Sequence, residues 1–476
     1  MMKHTRARLL LTLLFLLSLG TATALATVAD WTVEGEASQQ QGAELGYAVA
    51  LAGDVNGDGY DDLVVGAPHH TGTVYREGAA FLYYGRPSGP DTTPSWHAGS
   101  GQQGALFGQA VAAAGDVNGD GYADLLVGAP AYKNEQTGAG AAFLFYGSAA
   151  GLAATPGWQF ASDALYPMAL GEAVAGAGDV NGDGYDDVLV GAGDYEGEYE
   201  HEGIAFLFYG SSSGLAPVPV WQVTGGQRGA QLGQAVAGAG DVDGDGYADI
   251  LVGAPTYNTL VDNEGLALLF YGTATGPTTI PGWQQQGTQP GATLGAALTG
   301  VGDVDADGYG DVVVTAPAYD GAGDDQGIVY LFHGGAAGLA PVASWRYTRD
   351  GEYAYLGASV APAGDYNQDG FADVLVGARF YDDDQPNEGA AFLFLGWSHG
   401  LGRSPAWQAT GDKADAEFGF AIAGNGDANG DGYPDLLAGA PAYKRETVKV
   451  GRAFLYFGRS APTPADPLVF LPLLSR

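Results

Sequence analysis

Short apolar runs separated by glycine-rich turns recur along almost the whole chain. One stretch shows the pattern well: Gly108–Ala114 is rich in small residues, Asp124–Pro130 is mostly apolar, and Gly140–Tyr146 mixes aliphatic with aromatic residues. A proline-containing turn then leads to a fourth short segment at Trp158. Runs of this length, bounded by Gly and Pro, are typical of β-strands. The pattern therefore predicts four successive strands, with no apolar pattern of helical period in the repeated region.

The four-strand pattern occurs seven times with a nearly constant period. An acidic segment of the form Asp-x-Asn/Asp-x-Asp-Gly-x-x-Asp marks each copy and recurs every 62 or 63 residues. The seven segments begin at Asp54, Asp116, Asp179, Asp241, Asp303, Asp365 and Asp427. Four-stranded units repeated around an axis form a β-propeller. The sequence therefore predicts an all-β fold with seven four-stranded blades.

The tryptophan-containing strands predict how the ring closes. One of them, at Trp31, precedes the first acidic segment, and none follows the last third strand at Phe454–Phe457. The surplus strand at the start matches the missing strand at the end. We therefore predict that the Trp31 strand completes blade seven and closes the ring, in preference to an open solenoid with frayed ends.

The two ends of the chain do not follow the repeat. Basic residues among the first eight, an apolar stretch at Leu9–Leu19 and the small residues Ala24 and Ala26 predict a signal peptide over residues 1–26. The propeller is predicted over 27–460. The proline-rich, apolar tail at 461–476 is similar to short tails of some bacterial exported proteins, and is interpreted either as a surface-retention tag or as a frayed end. No transmembrane segment is expected after signal cleavage, so we predict a protein that is secreted or held at the cell surface.

Composition and charge narrow the possible chemistry. The chain carries 55 acidic and 18 basic residues, a formal net charge of -37, and no cysteine. This charge argues against nucleic acid and against anionic membrane surfaces as partners. Because neither disulfides nor thiolates are available, an exported protein of this sequence needs another stabilising element, for which bound metal ions are candidates.

The acidic segments have the ligand pattern of a calcium site. Ca²⁺ takes six to eight oxygen ligands in proteins, and positions one, three, five and nine of each segment offer side-chain oxygens. Position seven offers its backbone carbonyl, and the glycine at position six allows the chain to curl. We expect up to seven Ca²⁺ ions, one per blade. The predicted ligands are Asp54, Asn56, Asp58, Tyr60 and Asp62; Asp116, Asn118, Asp120, Tyr122 and Asp124; Asp179, Asn181, Asp183, Tyr185 and Asp187; Asp241, Asp243, Asp245, Tyr247 and Asp249; Asp303, Asp305, Asp307, Tyr309 and Asp311; Asp365, Asn367, Asp369, Phe371 and Asp373; and Asp427, Asn429, Asp431, Tyr433 and Asp435.

Two other interpretations of these segments are disfavoured. An EF-hand would need a glutamate at position twelve and flanking helices, whereas the first segment has Val65 there and strands on both sides. Metal-free hairpin turns would place three or four carboxylates close together in each of seven loops. Without a cation, these carboxylates would repel one another.

The residues around these loops resemble the FG-GAP repeats of integrin α-subunit propellers. Phe107-Gly108 with Gly128-Ala129-Pro130 shows both halves of that motif, and the resemblance extends over roughly residues 31–458. It implies a seven-bladed propeller with calcium loops on one face and a ligand, either protein or glycan, on the opposite face. Three repeats depart from the motif, with Gly193 and Arg379 in place of proline and Thr315 in place of the first glycine. No thigh-like domains are expected beside these repeats, so the resemblance does not imply integrin activity itself.

Residues with catalytic potential form no convergent set in the sequence. The seven histidines are scattered without a partner at nucleophile or zinc spacing. The leading prediction is therefore a non-catalytic recognition or adhesion module. The alternatives are an extracellular hydrolase or lyase acting on polysaccharide or phospholipid, and a structural surface-layer component.

One position after the second strand is aromatic in every repeat. These side chains could form a circle of binding residues on the recognition face, or they could pack the blades. Their repetition favours packing. The position is occupied by His70, Tyr132, Tyr195, Tyr257, Tyr319, Tyr381 and Tyr443. The segments that differ between repeats are better candidates for specific binding. They are Thr71–Glu77, Lys133–Gln136, Asp194–His201, Tyr257–Glu264, Asp320–Gln326, Tyr381–Glu388 and Lys444–Lys449.

Overall fold

The computed structural model describes residues 28–38, 41–134, 139–161, 168–349, 351 and 353–459. Seven four-stranded antiparallel sheets make up these residues together with short hairpins, and no helix occurs among them. The predicted all-β propeller of seven blades is confirmed. The predicted signal peptide and C-terminal tail lie outside the described residues.

Each blade runs from a first strand at the centre of the ring to a fourth strand at its outer edge. The first strands are Ala48–Gly53, Ala110–Gly115, Ala173–Gly178, Ala235–Gly240, Leu298–Gly302, Leu356–Gly364 and Ala421–Gly426. The second strands are Asp62–Ala67, Asp124–Ala129, Asp187–Ala192, Asp249–Ala254, Asp311–Ala316, Asp373–Ala378 and Asp435–Ala440. The third strands are Ala79–Tyr83, Ala141–Phe145, Ile204–Phe208, Leu266–Phe270, Ile328–Phe332, Ala390–Phe394 and Arg452–Tyr456. The fourth strands of blades one to six are Trp96–Gly99, Trp158–Ala161, Trp221–Thr224, Trp283–Gln286, Trp345–Tyr347 and Trp407–Thr410.

Three short hairpins lie outside the blades. They pair Ala37–Ser38 with Gln41–Gly42, Gly396–Trp397 with Gly400–Leu401, and Lys444–Arg445 with Val448–Lys449.

Small residues allow the first strands to crowd around the axis. Consecutive first strands contact one another in chain order, and the first strand of blade seven contacts that of blade one. A Cβ atom on Gly300 would lie 2.5 Å from the carbonyl oxygen of Ala239 in the preceding blade, and one on Gly176 would lie 2.8 Å from that of Ala113. No larger side chain fits at these positions, which explains the run of Gly and Ala.

The apolar core is divided into seven clusters, each between two adjacent blades. The second strands are buried along their whole length and contribute to these clusters from the middle of each blade. A blade therefore buries its apolar surface only when both neighbours are present, so the fold depends on the completed ring.

The N-terminal strand closes the ring as predicted. Trp31–Glu34 pairs antiparallel with the third strand of blade seven, with Trp31 opposite Leu455 and Glu34 opposite Arg452. The Trp31 ring also packs edge-on against Tyr83 of blade one, with ring centroids 5.1 Å apart. One strand thus joins the last blade to the first.

The other outer tryptophans make the same contact with the next blade. The ring of Trp221, for example, packs edge-on against Phe270 at 4.9 Å, and its Nε1–H donates to the carbonyl oxygen of Thr278 at 3.2 Å. Corresponding ring pairs occur at all seven blade junctions. The repeated tryptophan is therefore a residue that joins neighbouring blades.

Candidate metal centres

The seven acidic loops all connect a first strand to a second strand, so they lie on one face of the ring. Neighbouring loops are joined by a backbone hydrogen bond from position eight to the position-one carbonyl of the preceding blade. Ala123 donates in this way to Asp54 at 3.1 Å, and Asp61 donates across the ring closure to Asp427 at 3.1 Å. Pro434 has no N–H, so this bond cannot form between blades six and seven.

The first aspartate of each loop curls the backbone around its carboxylate. In loop one, Asp54 Oδ1 accepts from Asp58 N–H at 3.0 Å, and Oδ2 accepts from Gly59 N–H at 2.8 Å. The same pair of bonds occurs in the other six loops. The curl gathers the N–H groups of positions five and six around the position-one carboxylate, and the role of positions one, three and five as metal ligands stays a prediction.

Two glycine positions permit the curl for different reasons. The glycine at position six has φ between 86° and 95° in every loop, and a Cβ on Gly59 would meet nothing within 4 Å, so backbone conformation alone requires it. A Cβ on Gly57 at position four would lie 2.6 Å from the ring of Tyr122 in the next blade. Ala306 and Gln368 occupy position four in loops five and six with φ of 59°.

The aspartate at position nine fastens the loop to the blade. Asp62 is fully buried; its Oδ2 accepts from Val55 N–H at 3.1 Å and its Oδ1 from Gly85 N–H at 2.9 Å. The six equivalent aspartates make the same two bonds. This residue therefore ties together the loop, the second strand and the end of the third strand.

Burial makes these carboxylates difficult to ionise. Desolvation raises the pKa of six of them to about 7, although the two backbone N–H groups oppose that rise. The six are Asp62, Asp124, Asp187, Asp249, Asp373 and Asp435. A divalent cation beside such a carboxyl group favours its charged form. The surroundings of position nine are therefore suited to a bound divalent cation.

Position three differs between the loops. In loop one the Asn56 amide donates to Asp58 Oδ2 at 3.0 Å, which balances the neighbouring charge. Loops four and five have an aspartate there, and their carboxylates gather closely: Asp241, Asp243 and Asp249 in one, and Asp303, Asp305 and Asp307 in the other, have oxygens within 4.8 Å of one another. These two loops have four carboxylates at the predicted ligand positions, whereas the other five have three.

One residue near the loops is missed by the sequence prediction. His333 directly follows the third strand of blade five, and the structure places its imidazole beside Asp305 and Asp311. Interaction with the Asp311 carboxylate raises the pKa of His333. Repeat alignment contains the signal, because His333 lies 22 residues after position nine, where four other repeats have tyrosine.

The repeated aromatic after the second strand packs within its own blade. Tyr132 contacts Phe143 edge-on at 5.3 Å, and Tyr381 contacts Phe392 at 5.5 Å. His70 makes the corresponding contact with Phe81 at 5.2 Å. The geometry favours the packing interpretation of this series.

The connections between second and third strands lie on the face opposite the acidic loops. In several blades a buried glutamate folds the connection: Glu202 accepts from Glu198 N–H at 2.7 Å, and Glu388 accepts from Asp384 N–H at 2.9 Å. Gln326 takes the same place in blade five and accepts from Ala322 N–H at 2.7 Å. The segments that differ most between repeats are therefore ordered by a repeated side chain.

Sequence comparison identifies the same seven-fold repeat that the structure shows as blades. The model of the family described as "FG-GAP repeat" matches seven segments, residues 45–83, 107–145, 170–200, 232–270, 295–332, 356–394 and 419–456. The chain is 34% identical to Integrin alpha-4 of Xenopus laevis over 218 residues, which is 45% of this chain and 20% of that protein. It is 34% identical to Integrin alpha-V of Gallus gallus over 224 residues, 46% of this chain and 20% of that protein. The matched part of the chain thus spans about a fifth of the length of these relatives.

Structural comparison supports the fold alone. A crystal structure of BBS1N in complex with ARL6DN, soaked with mercury, aligns with a TM-score of 0.52 at 9% sequence identity, and covers 92% of this chain and 98% of that one. Among the described residues, none forms a helix long and apolar enough to cross a bilayer.

Proposed function

The chain belongs to the FG-GAP repeat family, and from that premise we propose that it is a calcium-stabilised, non-catalytic recognition or adhesion module that acts outside the cell or at its surface. The observation that carries the proposal is the curled acidic loop. It is present in all seven blades, with a side-chain arrangement that favours a divalent cation.

Calcium is the cation that these loops suit best. Each offers carboxylate oxygens and a backbone carbonyl at position seven, and five of the seven add an asparagine amide oxygen at position three. Hard oxygen ligands in a flexible loop are what Ca²⁺ prefers. Magnesium requires near-octahedral geometry and keeps several of its waters, which a loop of this kind serves poorly. Seven divalent ions would reduce the magnitude of the net charge from 37 to about 23.

Calcium binding is tested by thermal unfolding. Ions that bind only the folded loops stabilise the protein by linkage, so Ca²⁺ should raise Tm and EDTA should lower it. Asp245→Asn in loop four should reduce the number of Ca²⁺ ions bound at equilibrium dialysis by one. Asp262→Asn, an exposed change on the opposite side of the same blade, serves as its control. A Tm that does not respond to Ca²⁺ or EDTA would contradict the proposal.

We assign ligand recognition to the face opposite the acidic loops. The connections there vary in sequence from blade to blade while the acidic loops do not, and specific binding needs residues that differ. The resemblance to integrin α-subunits favours a protein or a glycan as the ligand.

Ligand recognition is tested by screening the full chain against extracellular matrix proteins and glycans, in Ca²⁺ and in EDTA. A bound ligand should be lost when side chains of the variable connections are changed and retained when exposed side chains on the calcium face are changed. Turnover of a polysaccharide or phospholipid that survives loss of every acidic loop would instead support an enzyme.

We propose export through the segment at residues 1–26. The test is expression with and without these residues in a secretion-competent host, followed by N-terminal sequencing of the exported protein. Export with a new N-terminus at Thr27 is expected, and retention of the full-length chain inside the cell would contradict the proposal.

A further inference from the structure

Loop five differs from the other six because a histidine faces it. His333 follows the third strand of blade five, and its side chain is 18% exposed. The equivalent residues elsewhere contain no nitrogen ligand; they are Tyr84, Tyr146, Tyr209, Tyr271, Leu395 and Phe457.

The imidazole and two carboxylates converge on one point. His333 Nδ1 lies 3.2 Å from Asp311 Oδ1 and 3.5 Å from Asp305 Oδ2, and the three donor groups lie within 4.8 Å of one another. Ligand atoms placed 2.0–2.1 Å from a tetrahedral metal ion are about 3.3 Å apart. The observed separations are therefore those of three ligands around one small ion.

Two atoms of this group lack a well-aligned hydrogen bond, although His333 Nδ1 lies 3.2 Å from Asp311 Oδ1. His333 Nδ1 and Asp305 Oδ1 are both buried, and neither has a partner of good geometry among the described residues. In loop one the position-three oxygen accepts from the position-five N–H, at 2.8 Å between Asn56 Oδ1 and Asp58 N. Asp305 is turned toward the histidine and makes no such bond within the described part of loop five. Buried polar atoms without partners are costly, and an ion between them would satisfy both.

The remaining contacts hold the candidate ligands in place. Asp311 is fixed by N–H groups of Val304 and Gly334 at 2.9 Å each, and its Oδ1 also lies 3.2 Å from His333 Nδ1. Hydrogen bonds of this kind orient a metal ligand before the ion arrives. Asp303 and Asp307 have oxygens within 4.8 Å of Asp305 and can supply a fourth ligand.

We propose that loop five is a mixed nitrogen–oxygen site for one divalent transition-metal ion of the zinc class, with His333, Asp305 and Asp311 as ligands. Imidazole nitrogen is a common ligand of zinc and its neighbours, whereas Ca²⁺ takes oxygen ligands almost exclusively. The inference rests on the proposed function only in its premise that the acidic loops bind divalent metal ions. It gives one blade a metal that the other six do not share.

Blade four supplies a matched control. Its loop has the same three position-one, -three and -nine aspartates, Asp241, Asp243 and Asp249, but Tyr271 stands where blade five has His333. Exchange of these residues is sterically mild, since a tyrosine is native at this position in four blades. His333→Tyr makes blade five like blade four, and Tyr271→His makes blade four like blade five.

The experiment is a titration of the untagged full chain with ZnCl₂ in saturating Ca²⁺, followed by calorimetry and, with CoCl₂, by visible absorption. We expect one Zn²⁺ site in the unmodified chain. His333→Tyr should weaken that site by at least about tenfold, and Tyr271→His should create a second one. Co²⁺ should give a ligand-field band that reports nitrogen coordination and disappears in His333→Tyr.

The outcomes separate this inference from the calcium proposal. Unchanged Zn²⁺ affinity in His333→Tyr, or no Zn²⁺ site in a chain whose Tm responds to Ca²⁺, would overturn the inference and leave the calcium proposal standing. Zn²⁺ binding that follows His333 in a chain whose Tm ignores Ca²⁺ would support the inference while the calcium proposal fails.

Discussion

Individual residues that depart from the repeat have local explanations in the structure. Gly193 replaces the usual proline in blade three, and its N–H donates to Glu172, an interaction that proline could not make. Thr315 replaces a glycine and donates through Oγ1 to the carbonyl of Gly357 at 2.8 Å. Arg379 replaces another proline and stacks over Phe420 of the next blade at 5.5 Å. Each departure thus comes with a new contact.

Glu172, the carboxylate that accepts from Gly193, should make the stability of the protein depend on pH. Burial raises the pKa of Glu172 to about 7. The hydrogen bond from Gly193 N–H opposes this rise because it favours the ionised form. A carboxyl whose folded-state pKa exceeds its unfolded value stabilises the fold least when it is ionised. Its contribution therefore falls as pH rises from about 4.5 through 7 and stays low above that.

Glu172→Gln should remove this dependence. We expect the variant to exceed the unmodified chain in free energy of unfolding by about 1–3 kcal/mol at pH 8 and to match it at pH 4.5. Urea unfolding in saturating Ca²⁺ at the two pH values measures the difference. Glu196→Gln, an exposed change in the same blade, should show no such divergence; equal behaviour of the two variants would contradict the prediction.

At the scale of elements, the strand at Trp31–Glu34 carries the ring closure. It is held by four register pairs with blade seven, by the Trp31 ring against Tyr83, and by an ion pair from Glu34 to Arg452 at 3.3 Å. Unlike the other outer strands, it is covalently attached to the ring on one side only. Local opening of this strand exposes the third strand of blade seven as a sheet edge.

Trp31→Ala should therefore loosen blade seven selectively. Truncating a buried Trp costs about 3–5 kcal/mol, and we expect a lower Tm together with faster hydrogen exchange in Arg452–Tyr456. Trp221→Ala should lower Tm similarly, with faster exchange confined to blades three and four. Hydrogen exchange followed by mass spectrometry distinguishes the two patterns, and faster exchange spread evenly over all blades in Trp31→Ala would refute the selective opening.

The elements of the blades could be predicted from sequence because each repeat carries the same local signals. Pro130 marks the end of a second strand, Trp158 the start of a fourth, and the surplus at Trp31 fixes the closure. The convergence of His333 on Asp305 could not be predicted in the same way. Repeat alignment marks His333 as a departure from tyrosine, but its approach to Asp305 depends on how the end of the third strand packs against the acidic loop and on the orientation of the Asp305 side chain, which the repeat does not encode.

For the whole molecule, the dominant physical quantity is the net charge of -37. The seven acidic loops share one face and are joined edge to edge, so without cations their carboxylates repel across blade junctions as well as within loops. Burial, together with the charges of Asp116 in the neighbouring loop and Asp179 in its own loop, raises the pKa of Asp186, although its carboxylate also accepts from Asp116 N–H at 2.8 Å. The metal-free ring should therefore be strained electrostatically on this face and held together by packing elsewhere.

Added salt should partly replace calcium in relieving that repulsion. The Debye length falls from about 10 Å at 0.1 M to about 3 Å at 1 M, so NaCl should raise Tm strongly in EDTA and less in Ca²⁺, where the bound ions already offset part of the charge of each loop. Scanning fluorimetry across NaCl concentrations measures both slopes. Choline chloride at equal ionic strength tests whether screening, and not Na⁺ binding in the loops, is responsible: the two salts should then act alike. Equal slopes in EDTA and in Ca²⁺ would mean that packing between blades, and not the charge of the acidic face, determines the salt response of the ring.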